Sequence, residues 1–171
     1  MPARVVDAMI RNPKVWSPST TVAQVNEAFL DDHLHAVLIV DDTGILLSVI
    51  ERPDTEEVAS HVPAASIGRL HGRATGPRVL LSEARRVLDA GRSRRLAVVV
   101  DDGALVGLLC LKRSRRGFCA DSDVAARRKA DQSVADLHHG RSRALESGIE
   151  AGPAERGRPV RPFHALRDTS G

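Results

Sequence analysis

The residues with chemistry to offer fall in two short runs and a few scattered pairs. Glu51-Arg52-Pro53-Asp54 follows an apolar run and sets two carboxylates three residues apart beside an arginine. Asp54, with Pro53 before it and Glu57 after it, reads as a helix N-cap with an acidic first turn. Cys110-Leu111-Lys112-Arg113 ends a second apolar run and opens a basic stretch to Arg116. Cys110 and Cys119 supply thiols, and His33, His35, His138 and His139 supply imidazoles. Both groups ligate zinc, but their spacing matches no ordinary zinc pattern, so no metal is expected. Cys110 reads as a small core residue. Two cysteines make no disulfide framework, and a reduced thiol pair is expected. His33 and His35 read as surface residues between a helix and a strand. There is no Gly-rich phosphate loop, no Gly-x-Ser-x-Gly elbow and no His-Glu-x-x-His, and no Ser, His and Asp spacing singles out a triad. No catalytic residues are therefore expected, and the chain does not read as an enzyme.

These groups must be carried by an aliphatic scaffold. Of 171 residues, 42% are hydrophobic but only 2% aromatic, with no Tyr and one Trp. A core of Val, Leu, Ile and Ala suits α/β layers. So few aromatics argue against nucleic-acid binding by base stacking. Net charge is +3. Acids and bases balance through Arg113, and the excess lies beyond it as a mildly basic tail. The N-terminal residues form no apolar signal segment, and the apolar runs are too short to span a bilayer. A soluble, cytoplasmic chain with no membrane partner is expected.

An internal repeat organises the chain. Leu38-Ile39-Val40-Asp41-Asp42-Thr43-Gly44, followed by Ile45 to Ile50, returns as Val98-Val99-Val100-Asp101-Asp102-Gly103, followed by Ala104 to Leu109. The offset is 60 before the turn and 59 after it, which predicts a second turn one residue shorter. Each copy reads as a β-hairpin whose strands are covered on nearly both faces. Upstream, Val22, Val25, Ala28 and Phe29 form a helix face, with Thr21 and Gln24 as a capping box. Leu81, Ala84, Val87 and Leu88 repeat that face, with Ser82 as a candidate cap. Short extended pieces precede both helices, at Val15 to Pro18 and at Arg78 to Leu80. Short helical pieces at Val5 to Ile10 and Ser66 to Leu70 precede those. A further helix is predicted from Asp121 or Ser122 to about Ala130. Beyond it apolar periodicity fades, apart from a short candidate helix at Ser133 to Leu145, and disorder is expected.

Two units of strand–helix–strand–strand–helix, each about 60 residues long, resemble the CBS domain, and the chain is similar to actinobacterial stand-alone CBS-pair proteins. The resemblance covers Val5 to Ala130 and lies in the order of features, repeated twice. It implies an α/β (α+β) fold of two β-α-β-β-α units in a pseudo-twofold pair, with domains at 5–62 and 63–131 and a basic, largely disordered tail at 132–171. It further implies a non-catalytic regulatory module that binds AMP, ADP, ATP or S-adenosylmethionine between the units. Such a module commonly forms a homodimer and acts on a regulated protein whose identity is open. In the family pattern the strand ends in Gly-h-h-(Thr/Ser)-x-x-Asp, whose Asp accepts hydrogen bonds from the ribose. Asp54 matches that Asp, with Glu51 at the hydroxyl position and Arg52 beside it. The remaining contacts map near Ser17 and to Ala36, Val37 and Leu38. In the second unit Cys110 and Arg113 replace the hydroxyl and the Asp, so Lys112 and Arg113 are expected to reach phosphates of a ligand in the first site. The Arg92, Arg94 and Arg95 cluster reads either as a solvated turn or as facing that cleft. The departures at Glu51, Cys110 and Arg113 leave an alternative, a dimerisation or protein-interaction module that has lost its nucleotide.

Overall fold

The structure is a computed structural model and describes residues 1–130 and residue 132. Apart from Gln132, the tail expected at 132–171 lies outside the described residues, as do His138, His139 and the candidate helix at 133–145. In chain order the elements are α1 (Val5–Ala8), α2 (Val22–Ala28), β1 (Val37–Val40) and β2 (Leu46–Ile50). Two 3-10 turns (Arg52–Thr55 and Ala64–Ser66) follow, then β3 (Ala74–Thr75), α3 (Leu81–Ala90), β4 (Arg95–Val99) and β5 (Leu105–Cys110). A last helix, α4, occupies 121–130.

The predicted capping box holds α2. The Thr21 N–H donates to Gln24 Oε1 at 2.9 Å, and the Gln24 N–H reaches back to the Thr21 hydroxyl. Val22, Val25 and Phe29 are buried on its inner face. In α3 Ala84 and Leu88 are buried but Val87 is exposed. Leu80, not Ser82, stands at its N-cap and offers no side-chain cap. The Leu81 N–H donates instead to the Ala3 carbonyl, 2.9 Å away, so the chain's own N-terminal segment satisfies that helix end.

β1 and β2 pair antiparallel, as do β4 and β5, and β3 adds to β4 in parallel. Ile39 lies opposite Ser48 and Val98 opposite Gly107, with bulges at Ile39/Val40 and Val98/Val99. Every one of these positions is offset by 59, so the two hairpin turns are equal in length and the expected one-residue shortening does not occur. Runs of Val before Asp-Asp fit two registers equally well. The residue that fixes the register is the glycine at positive φ, Gly44 at 88° and Gly103 at 86°. The same offset places the second extended piece at β3, not at Arg78 to Leu80.

The two repeats exchange their leading segments. Val5 of α1 is packed with Ala84, Leu88, Leu96 and Leu109 in the second repeat's core. Ala64, from the connection between repeats, is packed with Val25, Phe29, Val37 and Ile39 in the first. The backbone bridges follow suit: Arg4 with Leu80 and Thr21 with Pro63, Ile10 with Leu108 and Val49 with Arg69. Packing alternates in size at these crossings. A Cβ on Gly68 would overlap Ser48 Oγ, and one on Gly107 would lie 2.6 Å from Met9 Sδ. Each crossing therefore pairs one glycine with one side chain, in opposite order. On the pseudo-twofold axis Leu46 N–H donates to Gly103 O and Leu105 N–H to Gly44 O, both at 3.0 Å. Beneath them Ala36, Leu38, Leu46, Val49 and Ala97 form a core shared by both sheets. β1 and β4 are consequently buried over nearly their whole length, as their unbroken apolar runs require.

Candidate functional site

Two loci are equivalent under the repeat: the chain just after β2 and the chain just after β5. They are built in opposite ways.

After β2 the chain turns at once into the 3-10 turn Arg52–Thr55, with Glu51 at its N-cap. Asp54 is the third residue of that turn, not its N-cap, and its Oδ2 accepts the Glu51 N–H at 2.8 Å. The helix expected to continue through Glu57 stops at Thr55, and Glu57 sits at φ 60°. Both carboxylates are held by Arg73, which is only 5% exposed. Its Nη2 lies 3.1 Å from Asp54 Oδ1 and 3.3 Å from Glu51 Oε2. Its Nη1 pairs with Asp54 Oδ2 and donates to the Val49 carbonyl at 2.9 Å. The Ser93 hydroxyl donates to Glu51 Oε1 at 2.7 Å. A cavity of about 450 Å³ opens beside Glu51, Arg73, Val87 and Ser93, and Asp54 does not line it. Arg52 turns the other way. It donates to the carbonyls of Phe29 (2.6 Å), Asp31 (3.0 Å) and Leu34 (3.1 Å), with its guanidinium over the Phe29 ring. It thus caps the carbonyl end of α2.

After β5 the chain forms a hairpin instead. Leu111 bridges to Phe118, and the Cys119 N–H donates to the Cys110 carbonyl at 2.7 Å. That pairing sets the two cysteine Cα atoms 5.4 Å apart, inside the range a disulfide needs, and Cys110 and Cys119 are joined. The expected reduced pair is corrected here: nine residues of separation did not reveal that the cysteines face each other across a hairpin. The hairpin presents Lys112 and Arg113 to a second, larger cavity of about 760 Å³.

That cavity is basic. Arg52, Arg94, Arg95, Lys112, Arg113 and Arg127 line it, against the carboxylates of Asp32 and Asp123 alone. Asp123 is already engaged, accepting the Ala120 N–H at 2.9 Å and pairing with Lys112 at 3.6 Å. Arg95 is 7% exposed. It donates only to the carbonyls of Arg94 (3.2 Å) and Leu111 (3.4 Å), and among the described residues no carboxylate pairs with it. Burial, and then the neighbouring Arg94 and Arg127, pull its guanidinium down to about 10, so it remains charged at neutral pH. Burial, and then Arg95, Arg94, Arg52 and His33, hold His35 down to about 4. His35 is therefore neutral at neutral pH, and its Nε2 accepts from Arg94 at 3.3 Å.

The residues singled out in the sequence are thus divided. Arg52, Lys112 and Arg113 line the larger cavity and Glu51 the smaller. Asp54 is closed off by Arg73. Ala36, Val37 and Leu38 are buried in the cores, Ser17 is exposed and shares a hydrogen bond with Ser19, and none of these four lines either cavity. Arg94 and Arg95 face the larger cavity, whereas Arg92 does not. Arg73 and Arg127 escaped the sequence reading. A signal existed for Arg95: at an offset of 59 it takes the place of Ala36, a buried residue. For Arg73 no local signal existed.

No family model matches the sequence, and no curated protein matches it. Solved structures do. The cystathionine beta-synthase (CBS) pair domain of a protein described as a Mg2+ transporter, from Shewanella oneidensis MR-1, is 27% identical (TM-score 0.53). The match covers 61% of this chain and 66% of that one. CBSX2, in complex with AMP, is 24% identical over 74% of this chain and 98% of its own (TM-score 0.55). The cytosolic domain of the Mg2+ channel MgtE, in complex with ATP, is 21% identical over 61% of this chain and 44% of its own (TM-score 0.51). With two repeats at one offset, exchanged leading segments and a shared sheet-to-sheet core, the chain is, in its fold, a tandem CBS-domain pair.

Proposed function

We propose that the chain is a non-catalytic regulatory module that binds an adenine nucleotide between its two repeats, with the phosphates in the basic cavity. The observation that carries this reading is the buried Arg95, a cation that has no carboxylate partner among the described residues and opens onto a cavity lined by five more cations. Burying an unpaired charge is costly, and a bound anion offsets that cost. The neighbours in complex with AMP and ATP support an adenine nucleotide as the source of that anion. In this reading Lys112 and Arg113 act on phosphates, as does the cavity face of Arg52. Asp54 and Glu51 hold the first repeat together through Arg73. A nucleotide regulates by favouring one packing of the repeats, or of two chains in a homodimer, over another. The output passes to a separate protein. Among the described residues no helix is long and apolar enough to cross a membrane.

A second reading is an interaction module without a small ligand. The closure of Asp54 by Arg73 favours it, because both carboxylates of the first locus are already engaged by a side chain of the protein. A thermal-shift screen against AMP, ADP, ATP and S-adenosylmethionine separates the two. A ligand at 100 times its dissociation constant adds about 2.7 kcal/mol, which is several degrees here. A shift with at least one nucleotide is expected. No shift with any of the four leaves the interaction module.

A further inference from the structure

We infer that the basic cavity reads the phosphate chain of its ligand and not the nucleoside that carries it, so that its ligand class is an oligophosphate. This rests on the nucleotide reading above and narrows it.

What the cavity offers a ligand is charge. A ribose is recognised by a carboxylate free to accept from both hydroxyls. The two carboxylates after β2 are held by Arg73, and Arg113 stands in the place of Asp54 after β5. Asp123 is spent on the Ala120 N–H and on Lys112, so a single exposed acid, Asp32, remains against the lining cations. A purine needs an apolar or aromatic face to lie against. Apart from Cys119 the lining contains no apolar side chain, and its only rings are the imidazoles of His33 and His35. Phosphate oxygens, by contrast, are matched at several depths, by Arg95 and Arg94 from β4 and the turn before it, by Lys112 and Arg113 from the hairpin, and by Arg127 from α4. Arginine forks suit phosphate geometry and make charge-assisted bonds. Successive phosphates can engage successive cations, so affinity should climb with phosphate number.

The test is calorimetric titration of the full chain, at one ionic strength and without added divalent cation, with ATP, AMP, adenosine and inorganic tripolyphosphate. ATP is expected to bind at least about tenfold tighter than AMP, since each added charged hydrogen bond is worth roughly that factor. Tripolyphosphate should bind within a few-fold of ATP and displace it, while adenosine gives no heat. Arg113→Ala and Arg127→Ala, both on exposed side chains, should weaken ATP and tripolyphosphate by the same factor. If AMP binds as tightly as ATP and tripolyphosphate does not displace it, recognition runs through the nucleoside: this inference falls and the nucleotide reading stands. If tripolyphosphate binds and no nucleotide does, the oligophosphate site stands and the adenine reading falls. If nothing binds, both fall.

Discussion

The segment after β2 and the segment after β5 occupy the same place in a twofold frame, yet the carboxylates of one are paired from within and the other is left positively charged. In the first, Arg73 reaches from the connection between repeats, carries both carboxylates and donates to the Val49 carbonyl. In the second, the acid is gone, a disulfide-closed hairpin replaces the 3-10 turn, and Arg94, Arg95 and Arg113 face a cavity with few acids to answer them. The repeat thus preserves the sheets and their register, while the segments that follow them diverge in both backbone and side chains. In the proposed function the first locus serves stability and the second serves an outside partner.

The largest test of that division is a pair of substitutions followed by denaturant unfolding. Arg73→Met strands Glu51 and Asp54 in a mostly buried setting and should cost on the order of 3 kcal/mol. Arg113→Ala, on an exposed side chain, should change stability by no more than about 0.5 kcal/mol. Equal losses would erase the distinction. Next in size is reduction of Cys110–Cys119 with a dithiol. Opening so short a loop should cost about 2.5 kcal/mol, read as a lower Tm, with Lys112 and Arg113 freed from their fixed placement. An unchanged Tm would mean that backbone pairing alone holds the hairpin.

The architecture was legible because it rests on local patterns: continuous apolar strands, a Thr21–Gln24 box and a glycine in each turn. The turn register slipped because apolar runs next to Asp-Asp fit at two offsets, and only the positive φ of Gly44 and Gly103 decides. The site was half legible. Lys112, Arg113 and Arg52 stand at positions flagged by the repeat. Arg73 is distant in sequence from the carboxylates it serves, and the Cys110–Cys119 pairing emerges only once Leu111 faces Phe118. The exchange of α1 and the Ala64–Ser66 turn between cores was equally hidden, since chain order does not report which core a short helix enters.

A smaller effect concerns pH. His35 titrates near 6.5 when unfolded and at about 4 in the fold, held down by burial and then by Arg95, Arg94, Arg52 and His33. The unfolded chain therefore binds more protons between those values. The stability His35 contributes is complete above about 6.5 and is lost as pH falls towards 4. For this partly exposed ring the loss should be no more than about 1 kcal/mol once solvent screening is allowed for. Unfolding measured at pH 7 and pH 5 should show a smaller pH difference in His35→Gln than in the parent. A bound oligo-anion, by screening the arginines, should raise the His35 pKa from its ligand-free value, so that binding takes up protons on the acid side of neutrality. An identical pH profile with and without ligand would place the anion elsewhere.

The most direct measurement is the ATP affinity of Asp54→Asn beside that of Arg113→Ala, both against the parent. If the locus after β5 holds the phosphates and the locus after β2 is internally satisfied, Arg113→Ala weakens ATP about tenfold, while Asp54→Asn, which keeps a carbonyl to accept the Glu51 N–H, leaves it within about twofold. Loss of affinity in Asp54→Asn with Arg113→Ala unchanged would contradict this, and would assign the ligand to the carboxylate side of the molecule.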